Sequence, residues 1–216
     1  MLPDPSRKFA NFVSPEKFFK DGVNFKKGTK QTYDISYREF TKYFKDIPVI
    51  NNHHLVIGIN FTYGWMPTIF DFRSLKFEES LEILNKAKAG EMLSKNELKT
   101  LKGLFNNSLV GTSKLLHFIA PEKFAIWDSR VYRYLKGQEP YEHRIGDCET
   151  YLSYLEFCGY LTSIKKFEKV HEVVCNEVGY SMTAFRTVEL VMYQNGGRAI
   201  KKKPNTKHSL NAHNIN

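Results

Sequence analysis

Cysteine is scarce in this sequence, with three in 216 residues. Their odd number and the lack of a Cys-x-x-Cys spacing indicate neither a disulfide framework nor a cysteine-based zinc site. His53 and His54 are adjacent and have no partner at ligand spacing, and His171 begins a zinc-protease motif that lacks its second histidine. We therefore predict reduced thiols, no metal ion and no cofactor. The three cysteines are Cys148, Cys158 and Cys175.

Long apolar segments are also absent. No run approaches the ~18 consecutive apolar residues of a transmembrane helix. The first residues, Met1 to Lys8, carry charge and proline in place of the apolar segment of a signal peptide. The sequence therefore predicts a protein that is neither secreted nor inserted in a membrane, and we expect a cytoplasmic monomer.

Strand signals are missing as well, because no segment shows a clear alternation of apolar and polar residues. Apolar residues instead recur at helical spacing. Residues 53–68 are almost continuously apolar, which fits a buried strand or a buried helix, and we interpret them as a helix because their neighbours are helical. The sequence predicts an all-α fold without internal repeats. Outside the central stretch described below, helices are predicted at 37–44, 53–68, 75–89 and 98–105, from an Asp147 cap to Gly159, at 167–178, and from a Ser181 cap to Asn195.

Acidic residues are absent after Gln194, where five basic residues supply over half of the formal net charge of +9. A basic end on a mildly basic body favours a polyanionic partner such as nucleic acid. We predict one α-helical domain over residues 1–195 and a flexible basic tail over 196–216. That tail either contacts phosphate or only keeps the protein in solution.

The stretch from 108 to 131 presents a lysine and an aspartate at the starts of two predicted helices. Gly111 indicates a tight turn, after which Thr112 or Ser113 serves as a helix N-cap and Lys114 falls in the first turn. An Ala-Pro pair ends that helix, and Asp128 caps the next one.

Lys114 has two features that lower the pKa of a lysine amine. The dipole at a helix N-terminus disfavours positive charge, and apolar neighbours such as Leu115 and Phe118 remove water. A deprotonated amine is a nucleophile, and Asp128 is a candidate anion to receive a proton or to stabilise a developing cation. In the alternative interpretation, Asp128 only caps its helix and Lys114 only reaches solvent or holds a phosphate.

The segment Val110-Gly-Thr-Ser-Lys114, followed by an apolar helix and by Ile126-Trp-Asp-Ser-Arg-Val131, resembles the helix-hairpin-helix DNA glycosylases of the 8-oxoguanine glycosylase type. The pattern Ser-Lys-x-Leu-His-Phe…Phe-x-Ile-Trp-Asp-Ser-Arg-Val is similar to a largely uncharacterised bacterial branch of that superfamily. The resemblance implies an all-α, glycosylase-like fold of two packed helical lobes, with the helix-hairpin-helix at about 97–135. The family has glycines two and four residues before its lysine, where this chain has Thr112 and Val110, and its lysine and aspartate lie several residues further apart.

By this resemblance, Lys114 attacks C1′ of a nucleoside flipped out of duplex DNA, and Asp128 assists. The damaged or modified base would leave, and the resulting imine could promote β-elimination at an abasic site. The residues that would then contact DNA phosphate are Gly111, Thr112, Ser113 and Arg130. The candidates for the wall of the base pocket, each of which also suits a core position, are Trp65, His117, Phe118 and Trp127.

Two other hypotheses fit the same sequence. One is a non-catalytic nucleic-acid-binding module of the same fold, and the other is a protein-interaction partner whose basic tail docks on an acidic surface. The identity of the base, and a role in repair or in defence, are open at this level.

Overall fold

The structure, a computed structural model, describes residues 8–28, 32–66 and 76–197. These residues contain eleven α-helices and no β-strand, which confirms the predicted all-α class. The predicted tail from residue 198 onwards lies outside the described residues. The helices are α1 (Pro15–Val23), α2 (Thr32–Lys45), α3 (Asn52–Gly64), α4 (Phe77–Lys88), α5 (Lys95–Leu104), α6 (Leu109–Ile119), α7 (Ser129–Lys136), α8 (Glu142–Ile145), α9 (Cys148–Ser163), α10 (Phe167–Val178) and α11 (Ala184–Asn195).

Polar side chains cap most of these helices, because the first turn of an α-helix leaves backbone N–H groups without partners. Asp128 caps α7 and Asp147 caps α9, as predicted. Ser181 does not cap α11, which begins later: the side chain of Thr183 accepts a hydrogen bond from the Arg186 backbone N–H there. Helix α9 also runs past Gly159 to Ser163, so the predicted end of that helix was too early.

The apolar segment after His53 is helical, as interpreted, and forms α3 up to Gly64. Its cap is a reciprocal pair: the Asn51 side chain accepts from the His54 backbone, and the His54 ring accepts from the Asn51 backbone. His54 therefore has a structural role at a helix start. Helix α3 ends at Gly64 with Trp65 as its C-cap, so the helix predicted at 53–68 was too long. Residues 67 and 68, and the first residue of the helix predicted at 75–89, lie outside the described residues.

The turn before α6 differs from the prediction. Helix α6 starts at Leu109 with Ser108 as its cap, so Gly111 lies inside the helix, and Thr112 and Ser113 are not caps. The chain reverses instead at Asn106 and Asn107, whose φ angles are 52° and 60°. Asparagine tolerates this left-handed region better than most residues, so the turn does not need a glycine. Lys114 consequently lies in the second turn of α6, and not in the first.

The helices form two packing groups. Helix α6 contacts α2, α3, α4 and α5, whereas α11 contacts α1, α7, α9 and α10. Contacts between α5 and α9 join the groups. Trp127 adds a second link, because its backbone N–H donates to Ser113 Oγ at 3.0 Å. We call α6 and the four helices that contact it the α6 group, and α11 and the four helices that contact it the α11 group. Within the described residues, no helix combines the length and the apolar character that crossing a membrane requires.

Candidate active site

A cleft of about 500 Å³ opens between the α6 group and the α11 group. It is lined by segments that lie far apart in the sequence: the loop after α1, the start of α2, the residue after α3, the end of α10, and parts of α6, α7 and α11. Six of the charged side chains that line it are at least partly buried, and we call it the charged cleft. They are Lys27, Asp34, Lys114, Asp128, Arg186 and Glu189.

Lys114 projects into the charged cleft from α6 and is partly buried. Burial lowers the pKa of its amine, because an ammonium loses hydration, and the Asp128 carboxylate opposes this effect. The helix dipole contributes little, since it acts mainly within the first turn. The sequence suggested two causes for a lowered pKa of Lys114, and of these burial is the one that acts.

Asp128 both caps α7 and lines the charged cleft. Its Oδ1 accepts hydrogen bonds from the backbone N–H groups of Arg130 and Val131, each at 2.9 Å. Burial raises the pKa of the Asp128 carboxyl, while the Val131 N–H and the Lys114 charge act in the opposite direction. The cap fixes one oxygen, so the carboxylate has a defined orientation beside the cleft.

Arg186 and Glu189, which are not among the site residues predicted from the sequence, form an ion pair in the charged cleft. Only 6% of the Arg186 surface and 3% of the Glu189 surface are exposed. Arg186 Nη1 donates to Glu189 Oε2, one turn along α11. Burial raises the pKa of Glu189 to about 7, against the lowering effect of Arg186. Two opposite charges three residues apart beside the apolar Val188 and Met192 were a visible signal for a buried pair.

Gly111, Thr112 and Ser113 lie in the protein interior, so the predicted phosphate contact at these residues was wrong. The N–H groups of Gly111 and Thr112 donate to the side chain and the carbonyl of Ser108, which leaves them unavailable to a ligand. An added Cβ on Gly111 would lie 2.8 Å from Phe105 Cδ1, so this glycine permits close packing. The buried Ser113 hydroxyl instead ties α6 to the segment that precedes Asp128.

The aromatic candidates divide between cleft and core. Trp65 lines the charged cleft, whereas His117, Phe118 and Trp127 are fully buried and do not. The pocket role predicted for those three was therefore wrong. Tyr33 and Tyr193 line the cleft in their place. They were missed because nothing local distinguishes them among the twelve tyrosines.

Arg130 is exposed at the edge of the charged cleft, as a phosphate contact would require. Its guanidinium carbon lies 4.7 Å from the centroid of the Tyr193 ring. Lys27, a second amine in the cleft, pairs with Asp34 at 2.7 Å. Lys27 is therefore already engaged in an ion pair with a carboxylate of the cleft.

Comparisons with protein-family models, with curated proteins and with solved structures each found no match to this chain. The charged cleft therefore has to be interpreted from its own chemistry. It combines an amine of lowered pKa, a carboxylate that also caps a helix, and aromatic lining side chains in a space of about 500 Å³. Such a set can form an imine with an aldehyde or attack an acetal-like carbon.

Proposed function

We propose that the protein is a DNA glycosylase with abasic-site lyase activity, of the helix-hairpin-helix type and similar to 8-oxoguanine DNA glycosylases. The observation that carries the proposal is that Lys114 and Asp128, on different helices, line the same cleft. The fold class and the size of the cleft are compatible with a base flipped out of a duplex, for which the aromatic side chains provide a stacking surface.

In this proposal the Lys114 amine attacks C1′ of the flipped nucleoside. A bond forms between Nζ and C1′ as the glycosidic bond breaks, and the base leaves with the bonding electrons and takes up a proton. The Asp128 carboxylate stabilises the positive charge that develops on the sugar and accepts a proton from the secondary ammonium that forms when Nζ bonds to C1′. Opening of the sugar ring then gives an imine at C1′.

The lyase step follows from the imine. Loss of a proton from C2′ allows the bond between C3′ and its phosphate oxygen to break, which cleaves the strand. Lys114 is released when water hydrolyses the imine. Glu189 remains with Arg186 at the floor of the cleft and takes no part in these bonds.

Contact with the duplex would be mostly electrostatic and would weaken steeply with salt. Arg130 is the candidate phosphate contact among the described residues, because its guanidinium is exposed beside the cleft. The five basic residues beyond residue 197 would add to this electrostatic attraction.

The test is borohydride trapping on duplex DNA that carries an abasic site, since this substrate requires no assumption about the base. We expect a covalent adduct with the wild type that Lys114→Ala abolishes. Lys27→Ala is the matched control, because Lys27 is another amine of the same cleft, and it should trap as the wild type does. If DNA binds without an adduct, the protein is either an aspartate-assisted hydrolase or a non-catalytic binding module. Equal trapping by all three proteins would reject Lys114 as the nucleophile.

A further inference from the structure

Residues 124–127, directly before the cap of α7, are held in place by buried side chains. Because this segment is neither helix nor strand, its backbone polar groups need other partners. Tyr151 and Tyr154 on α9 supply two of them: their hydroxyls donate to the carbonyl oxygens of Ala125 at 3.1 Å and of Ile126 at 3.3 Å. Both tyrosines are fully buried, so water does not compete for these bonds.

Helix α6 binds both ends of the same segment. His117 Nδ1 lies 2.6 Å from the Phe124 carbonyl oxygen. Ser113 Oγ accepts from the Trp127 N–H at 3.0 Å and lies 3.3 Å from the Trp127 carbonyl oxygen. Ser113 and His117 are one helical turn apart and fully buried. The segment 124–127 is therefore fixed between α6 and α9.

These bonds bear directly on the two candidate catalytic residues. Lys114 follows Ser113 in α6, and Asp128 follows Trp127. Helices α6 and α7 belong to different packing groups, so the cap on α7 orients Asp128 within the α11 group but does not set its distance from Lys114. The hydrogen bond between Ser113 and Trp127 joins the residues that directly precede the pair. The charge of each member of that pair also acts on the pKa of the other.

We propose that Ser113 and Tyr154 are positioning residues, which hold Asp128 in place relative to Lys114 through the segment 124–127. This inference rests on the proposed function, in which Lys114 and Asp128 act together at C1′. Neither Ser113 nor Tyr154 lines the charged cleft, so both act through Asp128. A displacement of about 1 Å between reacting groups costs a reaction up to about a hundredfold in rate.

The test uses Ser113→Ala and Tyr154→Phe, each of which removes one hydroxyl from the contacts of the segment. Ser80→Ala is the matched control. Ser80 is a fully buried serine of α4 whose hydroxyl donates to the Lys76 carbonyl at 2.7 Å, and it does not line the charged cleft. Thermal unfolding establishes that each variant is folded at the assay temperature.

The first readout is single-turnover strand cleavage of abasic duplex DNA over a range of protein concentrations. We expect the rate at saturation to fall about ten- to a hundredfold in Ser113→Ala and in Tyr154→Phe. The concentration for half-saturation should stay within about twofold of wild type, because DNA contacts are unchanged. Ser80→Ala should match the wild type in both. Folded variants with wild-type rates at saturation, or a loss confined to half-saturation, would overturn the inference.

The second readout needs no DNA: an NMR titration of protein with isotope-labelled lysine, in which Lys114→Arg identifies the signal. Asp128→Asn should lower the Lys114 pKa, because the ammonium loses a carboxylate. Ser113→Ala and Tyr154→Phe should lower it too, and Ser113→Ala should add no shift in the Asp128→Asn background. An unchanged pKa in both single variants, or an additive shift in the double variant, would overturn the inference. If the shifts appear but the wild type cleaves no DNA, the catalytic proposal alone fails.

Discussion

His117 offers a quantitative test of the interior beside the charged cleft, although it is not part of that cleft. Its Nδ1 lies 2.6 Å from the Phe124 carbonyl oxygen, which can only accept, so Nδ1 carries the proton. Nε2 then accepts from the Tyr37 hydroxyl. Burial, aided by the charge of Arg186, lowers the pKa of His117 from 6.5 to about 3. The folded protein therefore holds this imidazole neutral at pH values where the unfolded chain protonates it.

This difference makes folding stability fall as pH decreases from about 6.5 towards 3. Each pH unit in that window costs about 1.4 kcal/mol, so His117 should remove about 2 kcal/mol between pH 7 and pH 5. We propose urea unfolding at several pH values for the wild type and for His117→Asn, whose amide can still donate to Phe124. The wild type should lose about 2 kcal/mol more than the variant over this range. Parallel pH dependences would refute the lowered pKa of His117 and with it the burial of this side chain as a neutral imidazole.

Other substitutions test how the walls of the charged cleft are held. Gly196→Ala should destabilise the fold by at least about 2 kcal/mol, because the new Cβ would lie 1.9 Å from the Arg130 carbonyl oxygen. Gly197→Ala, with no atom within 4 Å, should stay within about 0.5 kcal/mol of wild type in the same urea assay; equal losses would contradict the packing. Ser113→Ala should cost about 1–3 kcal/mol in that assay, since it leaves a buried backbone N–H unpaired. Asp128→Asn should keep the cap, with a melting temperature near that of wild type, yet trap far less DNA; full trapping would exclude a role for the carboxylate charge.

The local features of this fold were the most predictable from the sequence. The helix starts at Asp128 and Asp147 could be predicted because an N-cap depends only on the residues directly after it. The Phe167–Val178 helix agrees in both bounds, since its apolar stripe is regular. A glycine is the usual signal of a tight turn, so the sequence placed the turn before α6 at Gly111. Two asparagines make that turn instead, and the glycine permits close packing against Phe105.

The charged cleft depends on contacts between distant segments, so its composition was only partly predictable. The chemistry of Lys114 and Asp128 and a family resemblance pointed to these two residues, and both line the cleft. Arg186 and Glu189 enter it because α11 packs on α7, a pairing that no local pattern encodes. Trp65 lines the cleft while Trp127 is fully buried, a difference that depends on how distant segments pack.

The most direct measurement is to map the site of the adduct on the wild-type protein. After borohydride reduction on abasic DNA, nuclease and protease digestion followed by tandem mass spectrometry would identify the modified lysine. The account predicts that the sugar remnant is on Nζ of Lys114, the amine whose pKa burial lowers beside Asp128. A remnant on Lys27, on another lysine or on the N-terminal amine would contradict it, because the nucleophile would then lie outside the Lys114 and Asp128 pair.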